Sequence, residues 1–182
     1  MLSLCIFYAK LPDETYWIGK GNEMRQICVV AMLAVLPLVG SQDVPAAGTW
    51  KLNVGKSKFS PGPAPKTGTL VIELQGDSIK THLEEVEVDD SQTGYEYAAV
   101  LDDNKDYPLT GSSKPARLGG AETISVRRAG SNAWAGHFKK SGQIVMTNRL
   151  VVSKDGKTLT LSANGADAKG QPVSVVSVWD KQ

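Results

Sequence analysis

Cysteine is almost absent from this chain. The two cysteines, Cys5 and Cys28, both lie near the N-terminus, so the rest of the chain can form neither a disulfide framework nor a cysteine-ligated zinc site. A basic excess is lacking as well, because 20 Lys and Arg stand against 19 Asp and Glu, which gives a net charge of +1. That balance argues against a nucleic-acid partner, since such partners require a strongly basic surface.

The chain also has no apolar run long enough for a permanent membrane span, which needs about 20 residues. The longest run, ICVVAMLAVLPLV at residues 27–39, is interrupted by Pro37. It follows Met24-Arg25 and ends before small residues at Gly40 and Ser41, which is the layout of a secretory signal.

We therefore expect a signal peptide at residues 24–41, cleaved near Ser41, and a secreted or periplasmic mature chain without a stable membrane span. Residues 1–23, a doubtful N-terminal extension, are polar and show no pattern, so we expect translation to start at Met24; an extension of unknown role is the alternative. Residues 42–182 then form a single domain, which suits their length.

Helical periodicity is lacking from Gly48 onward. Apolar residues alternate with polar ones instead, as in Leu70, Ile72 and Leu74, and turn residues recur at short intervals. Asp155-Gly156 is the strongest turn signal and predicts a type I′ hairpin. Short strands joined in order predict an all-β fold, an antiparallel up-and-down β-barrel of about 8–10 strands, because closure removes the sheet edges.

Two motifs come close to ligand sites without completing them. Gly55-Lys56-Ser57 resembles the end of a phosphate-binding loop, but Trp50 stands where the first Gly is needed and prolines follow where a helix is needed. Residues 102–106 (DDNKD) resemble the start of a calcium loop, but Tyr107 and Ser113 replace its required Gly and Glu. We interpret both as turns.

No catalytic constellation is visible. His82 and His137 are the only histidines and have no metal-ligand spacing, and there is no Gly-x-Ser-x-Gly nucleophile elbow. In the acidic run at residues 84–90, Glu85 and Glu87 share a side while Glu84 lies opposite, and a solvated strand end is the simplest interpretation. We expect no enzyme activity, no metal site and no cofactor.

The aromatic residues fall on shared strand faces. Tyr95 and Tyr97 lie on one face, as do Trp134 and Phe138, and Ile144 and Met146 are in phase on the following strand. These six side chains are the candidate walls of an apolar ligand cavity. Ordinary core filling is the alternative, because a chain with 7% aromatic residues needs them to hold the barrel together.

Gly48-Thr49-Trp50 resembles the Gly-x-Trp of the first strand in the calycin superfamily, which contains the lipocalins and fatty-acid-binding proteins. The longer string GTWKLNVGKSKFSPGPAPKTGTLVIE, with DYPLTG and TLTLSANGADAKGQPVSVVSVWDKQ, resembles a group of bacterial secreted proteins described as lipocalin-like, which has no agreed activity. The resemblance implies that Trp50 plugs one barrel end against a basic residue of a late strand, for which Arg149 is the first choice. Residues 61–65 then form a proline-rich strap where relatives carry helices.

The expected function is non-enzymatic binding of a small apolar or amphipathic molecule by a monomeric barrel. The alternative is a structural or protein-interaction module with a fully packed barrel. A barrel that is persistently empty of ligand, together with an interior that lacks a cavity of about 300 Å³, would speak against the first.

Overall fold

The computed structural model describes residues 46–182, so the expected signal peptide and the N-terminal extension lie outside the described residues. The strands of the described part are β1 (Gly48–Leu52), β2 (Lys58–Ser60), β3 (Thr67–Gln75), β4 (Ser78–Val86), β5 (Gln92–Val100), β6 (Tyr107–Pro108), β7 (Thr123–Gly130), β8 (Ala133–Lys140), β9 (Gln143–Val152), β10 (Thr158–Ala166) and β11 (Pro172–Lys181). Two 3₁₀ turns, Val54–Lys56 and Ala116–Leu118, interrupt them. None of the helices among these residues has the length and apolarity to cross a membrane.

All the strands belong to one antiparallel sheet that follows chain order, with β1 inserted between β3 and β11. The first strand therefore pairs with the last, for example Trp50 opposite Lys181. The two edges of the sheet meet through an isolated bridge between Glu96 of β5 and Thr110, just after β6. The fold is a nearly closed up-and-down barrel, which confirms the fold class expected from the sequence.

Two short strands, β1 and β2, pair with different parts of β11. β1 covers the C-terminal part of β11, and β2 covers its middle, where Phe59 lies opposite Val175. The turn Val54–Lys56 joins the two strands, and Asn53 caps it by accepting the amide of Lys56. The Gly-Lys-Ser motif is thus a turn between two short strands, as predicted.

Alternation of apolar and polar residues places the core inside the barrel. Leu70 and Ile72 of β3, Leu159 of β10 and Val152 of β9 are almost completely buried, and their sequence neighbours point outward. Phe138 of β8 is among the largest fully buried side chains. Burial of such side chains stabilises the fold by about 1.5–3 kcal/mol each.

The hairpin turns differ from the prediction in one detail. At Asp155-Gly156 only Gly156 has a positive φ, 69°, so the turn is not type I′, which needs two such residues. Two consecutive positive φ values occur at Ser141 (49°) and Gly142 (76°) in the β8–β9 turn. The hairpin at Asp155 is present, held by its carboxylate, which accepts the amide of Lys157.

Candidate functional site

A mostly apolar cavity lies inside one end of the barrel. Its volume is about 50 Å³, enough for a few water molecules at roughly 10–15 Å³ each. Because adjacent strands are antiparallel, the ends of β4 and β10 and the starts of β5, β9 and β11 meet at this end. We name it the roofed cavity; its apolar walls include Leu70, Leu83, Tyr95, Phe138, Met146 and Trp179.

The cover of this cavity comes from outside the main strands. Phe59 of β2 and the segment that contains Pro115 and the 3₁₀ turn Ala116–Leu118 line it. We name this 3₁₀ turn the roof turn. Leu118 is buried, and the turn ends at Gly119, whose φ of 64° is left-handed. None of the residues at positions 61–65 lines the cavity, so the proline-rich strap does not form its cover.

A charged pair lies at the boundary between cavity and roof. Glu85, on the wall strand β4, has only 3% of its side chain exposed and forms a salt bridge with the Nη2 atom of Arg117 on the roof turn. The other terminal guanidinium nitrogen, Nη1, lies 3.1 Å from Glu87 Oε1. The face of the guanidinium stacks on Phe59, 5.6 Å from the ring centre. Two carboxylates and one aromatic face thus surround a single cation.

Arg117 stays charged in this setting. Burial lowers the pKa of its guanidinium to about 10, still well above neutral pH. The same Oε1 atom of Glu87 also accepts a hydrogen bond from the hydroxyl of Thr93 at 2.9 Å. Because both terminal guanidinium nitrogens have a carboxylate partner, an incoming anion would compete with Glu85 and Glu87 for Arg117.

The aromatic walls pack edge to face. The ring centres of Tyr95 and Phe138 are 5.8 Å apart with an interplanar angle of 80°. Tyr95 also stacks on Tyr97 at 6.4 Å. Burial raises the pKa of the Tyr95 phenol, and the neighbouring Tyr97 raises it further. Both tyrosines are therefore neutral in the folded protein at physiological pH.

Five of the six predicted wall residues lie inside the barrel. Tyr95, Phe138 and Met146 line the roofed cavity. Tyr97 and Trp134 line a separate interior space of about 20 Å³, which we name the inner void. Trp134 is 6% exposed and, among residues 46–182, its indole Nε1 has no hydrogen-bond partner. Contact of these five residues with a ligand stays a prediction.

The sixth predicted wall residue, Ile144, is wrongly placed by the sequence pattern. Its side chain is 53% exposed. Phe138 pairs with Met146, but the next residue of β8, Lys139, pairs with Ile144, so Val145 is an extra residue in β9. This bulge reverses the alternation. Ile144 therefore points outward opposite Lys139.

The predicted partner of Trp50 is also wrong. Trp50 is fully buried, and its indole Nε1 donates to Ala46 O at 3.0 Å. The cation over its ring is Lys181, with Nζ 5.2 Å from the centroid. Arg149 instead lies on the exposed face of β9 and donates weakly to Ala129 O at 3.4 Å. The resemblance indicated the right kind of residue on a late strand but the wrong strand.

Two residues of the site were not identified from the sequence. Glu85 was interpreted as part of a solvated strand end, although it continues the inward phase of Ile79, Thr81 and Leu83. That phase was the available signal. Arg117 carries none, because it lies in an irregular segment between Pro115 and Gly119 where no periodicity assigns a direction.

The other candidate residues form ion pairs on the barrel surface or beside the closure of the sheet. His82 lies between Glu84 (3.1 Å) and Glu96 (3.6 Å) on the outer face. Asp102 binds Arg128, and Asp106 lies 2.6 Å from Lys139. Over residues 46–182, no group of three or more His, Cys, Asp and Glu side chains is arranged to hold a metal ion. The acidic residues at 102–106 are thus committed to neighbouring cations.

The sequence matches no protein-family model and none of the curated proteins compared with it. Among solved structures, it is similar to the zebrafish ileal bile acid-binding protein complexed with cholic acid, with 11% identity, a TM-score of 0.46, and coverage of 76% of this chain and 99% of the other. It is similar to Rv2717c from M. tuberculosis at 14% identity and TM-score 0.44, covering 76% and 93%. It is similar to the siderocalin Ex-FABP at 11% identity and TM-score 0.36, covering 76% and 74%.

Proposed function

We propose that this protein binds a small amphipathic molecule, without catalysis, at the roofed end of its barrel. One observation carries the proposal: a mostly apolar cavity inside the barrel has a buried ion pair, Glu85–Arg117, among its lining residues. Apolar walls with a few convergent polar groups are the usual composition of a small-molecule site. The ion pair supplies the polar end of such a site, and Tyr95, Phe138 and Trp179 supply the apolar part.

The size of the cavity sets a condition on binding. A ligand site usually has roughly 300–1,000 Å³, whereas the roofed cavity has about 50 Å³. A ligand must therefore displace part of the cover. The roof turn is the part best suited to move, because it is a single 3₁₀ turn in a connecting segment, while the walls are held by β-ladders.

The small cavity also favours a second candidate function. A barrel filled by its own side chains would act through its outer surface, as a structural or protein-interaction module. The two candidates differ in what they predict for Ala163, which is 5% exposed and lines the roofed cavity.

Calorimetric titration with octanol, octanoate and octylammonium tests the first candidate. Saturable binding of any of the three, lost in Ala163→Val while the free energy of unfolding is kept or raised, would support it. If no probe binds and Ala163→Val costs about 1–3 kcal/mol by overpacking, the packed barrel is the better description. Ala98→Val, on the exposed face of β5, is the matched control and should change neither property.

We propose further that the protein acts as a secreted or periplasmic monomer after removal of residues 24–41 as a signal peptide. The support is the sequence pattern of that segment alone. N-terminal sequencing of the exported protein should find a new terminus near Ser41, and native mass spectrometry should find the mass of one chain. Retention of the segment in the cytoplasmic fraction, or a dimer mass, would contradict the corresponding part.

A further inference from the structure

The polar groups of the roofed cavity differ in how they are attached to the barrel. Glu85 belongs to β4, which is paired on both sides, with β3 and with β5. Arg117 belongs to the roof turn, which rests on the barrel end. The carboxylate is thus part of the wall, and the guanidinium is part of the cover.

The cluster formed by Glu85, Glu87 and Arg117 has one more negative charge than positive charges. Glu85 and Glu87 each carry a negative charge toward Arg117, and Arg117 is the single positively charged residue among those lining the cavity. When the cover moves, Arg117 leaves with it, and Glu85 stays in the wall without its cation. When a bound ligand buries Glu85 again in place of the cover, a charged carboxylate without a partner is strongly unfavourable, so a cationic group on the ligand would stabilise the occupied site.

We infer that the ligand of this site is a small amphipathic cation, with an amine or guanidine group that takes the place of Arg117 against Glu85. The inference rests on the proposed function and specifies its ligand class. The walls suit such a ligand, because Tyr95, Phe138 and Trp179 offer aromatic faces and edges that accommodate an organic cation and its apolar body.

An anionic ligand is disfavoured by the same geometry. A carboxylate that approached Arg117 would compete with Glu85 and Glu87 for the guanidinium and would add a third negative charge beside them. Like charges at such distances repel, and burial strengthens the repulsion. The ion pair therefore selects against fatty-acid-like molecules.

The test is calorimetric titration of the full-length protein with three probes of equal chain length: octylammonium, octanol and octanoate. We expect octylammonium to bind at least about tenfold more tightly than the other two. Glu85→Gln should weaken octylammonium binding by about tenfold or more and should weaken octanol binding by a much smaller factor. Glu84→Gln removes the same charge from the adjacent position, whose side chain is 71% exposed, and should change neither.

Arg117→Ala gives a second and opposite prediction. Because Arg117 occupies the position proposed for the ligand cation, its removal should raise octylammonium affinity by several-fold. A merely structural role for the ion pair would give no such increase. If Glu85→Gln does not fold, as judged by circular dichroism, the Arg117→Ala measurement decides the question.

The remaining outcomes separate this inference from the proposed function. Equal affinity for the three probes, or tighter binding of octanoate that is lost in Arg117→Ala, would overturn the cationic ligand and leave the binding barrel intact. Absence of binding by all three probes would overturn both.

Discussion

Trp50 and Lys181 form a directly opposed pair where the first and last strands meet. Trp50→Ala removes a fully buried indole and its hydrogen bond to Ala46 O, so we expect a loss of about 3–5 kcal/mol in the free energy of unfolding. Lys181→Met keeps the apolar stem but removes the cation above the ring, and should cost about 0.5–1 kcal/mol.

Arg149→Met provides the control for this pair, because Arg149 lies on the exposed face of β9 away from the indole. Urea unfolding should show a change near zero for this variant. A loss for Arg149→Met equal to that for Lys181→Met would contradict the assignment of Lys181 as the partner of Trp50.

Tyr95 gives the barrel a sensitivity to alkaline pH. Burial raises the pKa of its phenol in the folded state above the ordinary value of 10.0, so the unfolded chain ionises first as pH rises. The neutral Tyr95 phenol therefore makes its full contribution to the free energy of unfolding below pH 10, and this contribution is lost as pH rises above 10. Urea unfolding at neutral pH and at a pH above 10 gives the loss of free energy of unfolding between the two conditions. This loss should be smaller for Tyr95→Phe than for the wild type. Equal losses in both proteins would contradict the role of Tyr95.

Two errors at the level of single strands show where sequence reasoning fails. Alternation placed Met146 in the interior correctly, but it failed for Ile144 because Val145 is an extra residue in β9. A bulge leaves no mark in the period-two pattern until the register of the neighbouring strand is known. For Glu85 the alternation correctly indicates an inward side chain, but the charge of the residue favours a solvent-exposed position. The compensating cation, Arg117, comes from a segment whose position the sequence does not indicate.

The roof turn depends on the glycine that ends it. Gly119 has φ 64°, and a Cβ there would lie 2.5 Å from Ala166 O and 3.2 Å from Val145 Cβ. Gly119→Ala should therefore cost about 3 kcal/mol, from the left-handed conformation together with the backbone clash. Gly142→Ala is the matched control, because φ is 76° but nothing lies within 4 Å of the added atom. It should cost only about 1–2 kcal/mol.

Urea unfolding of the two glycine variants measures both losses. Equal losses would mean that the contact with β9 and β10 does not hold the roof turn in place. In that case the turn would owe its position to Arg117 and Leu118 alone.

At the scale of the whole molecule, the fold class was predictable and the site was not. Short alternating strands in chain order with polar turns leave few arrangements besides a meander, and edge protection favours its closure. The cavity depends on how side chains from several strands share the interior volume. How the side chains fill the interior depends on strand register, on bulges and on the irregular segment before β7. None of these features produces a periodic pattern in the sequence.

The barrel closes through a weak seam between β5 and the segment that contains β6 and Thr110, and this seam should be its first point of opening. Glu96 and Thr110 exchange two backbone hydrogen bonds of 3.0 and 2.9 Å, and β6 contributes only two residue pairs to β7. The ladders of β8 to β11 have seven or more pairs each. Amides of Glu96 and Thr110 should therefore exchange with solvent deuterium at least roughly tenfold faster than those in the middle of β10.

The carboxylate of Asp102 holds this seam closed by binding Arg128, and substitution of Asp102 tests whether the barrel opens there first. The carboxylate accepts the amide of Arg128 at 2.8 Å and pairs with the Arg128 guanidinium at 2.8 Å. These bonds lower the pKa of Asp102 below the ordinary 3.8, so this binding is complete above that pH and is lost as pH falls through the lower folded-state value. At neutral pH, Asp102→Asn should speed exchange of the seam amides and leave β10 unchanged. Asp155→Asn, which removes a similarly bonded carboxylate from the β9–β10 turn, should leave the seam unchanged. If both variants affect the seam equally, the carboxylate of Asp102 has no particular role in closing the barrel.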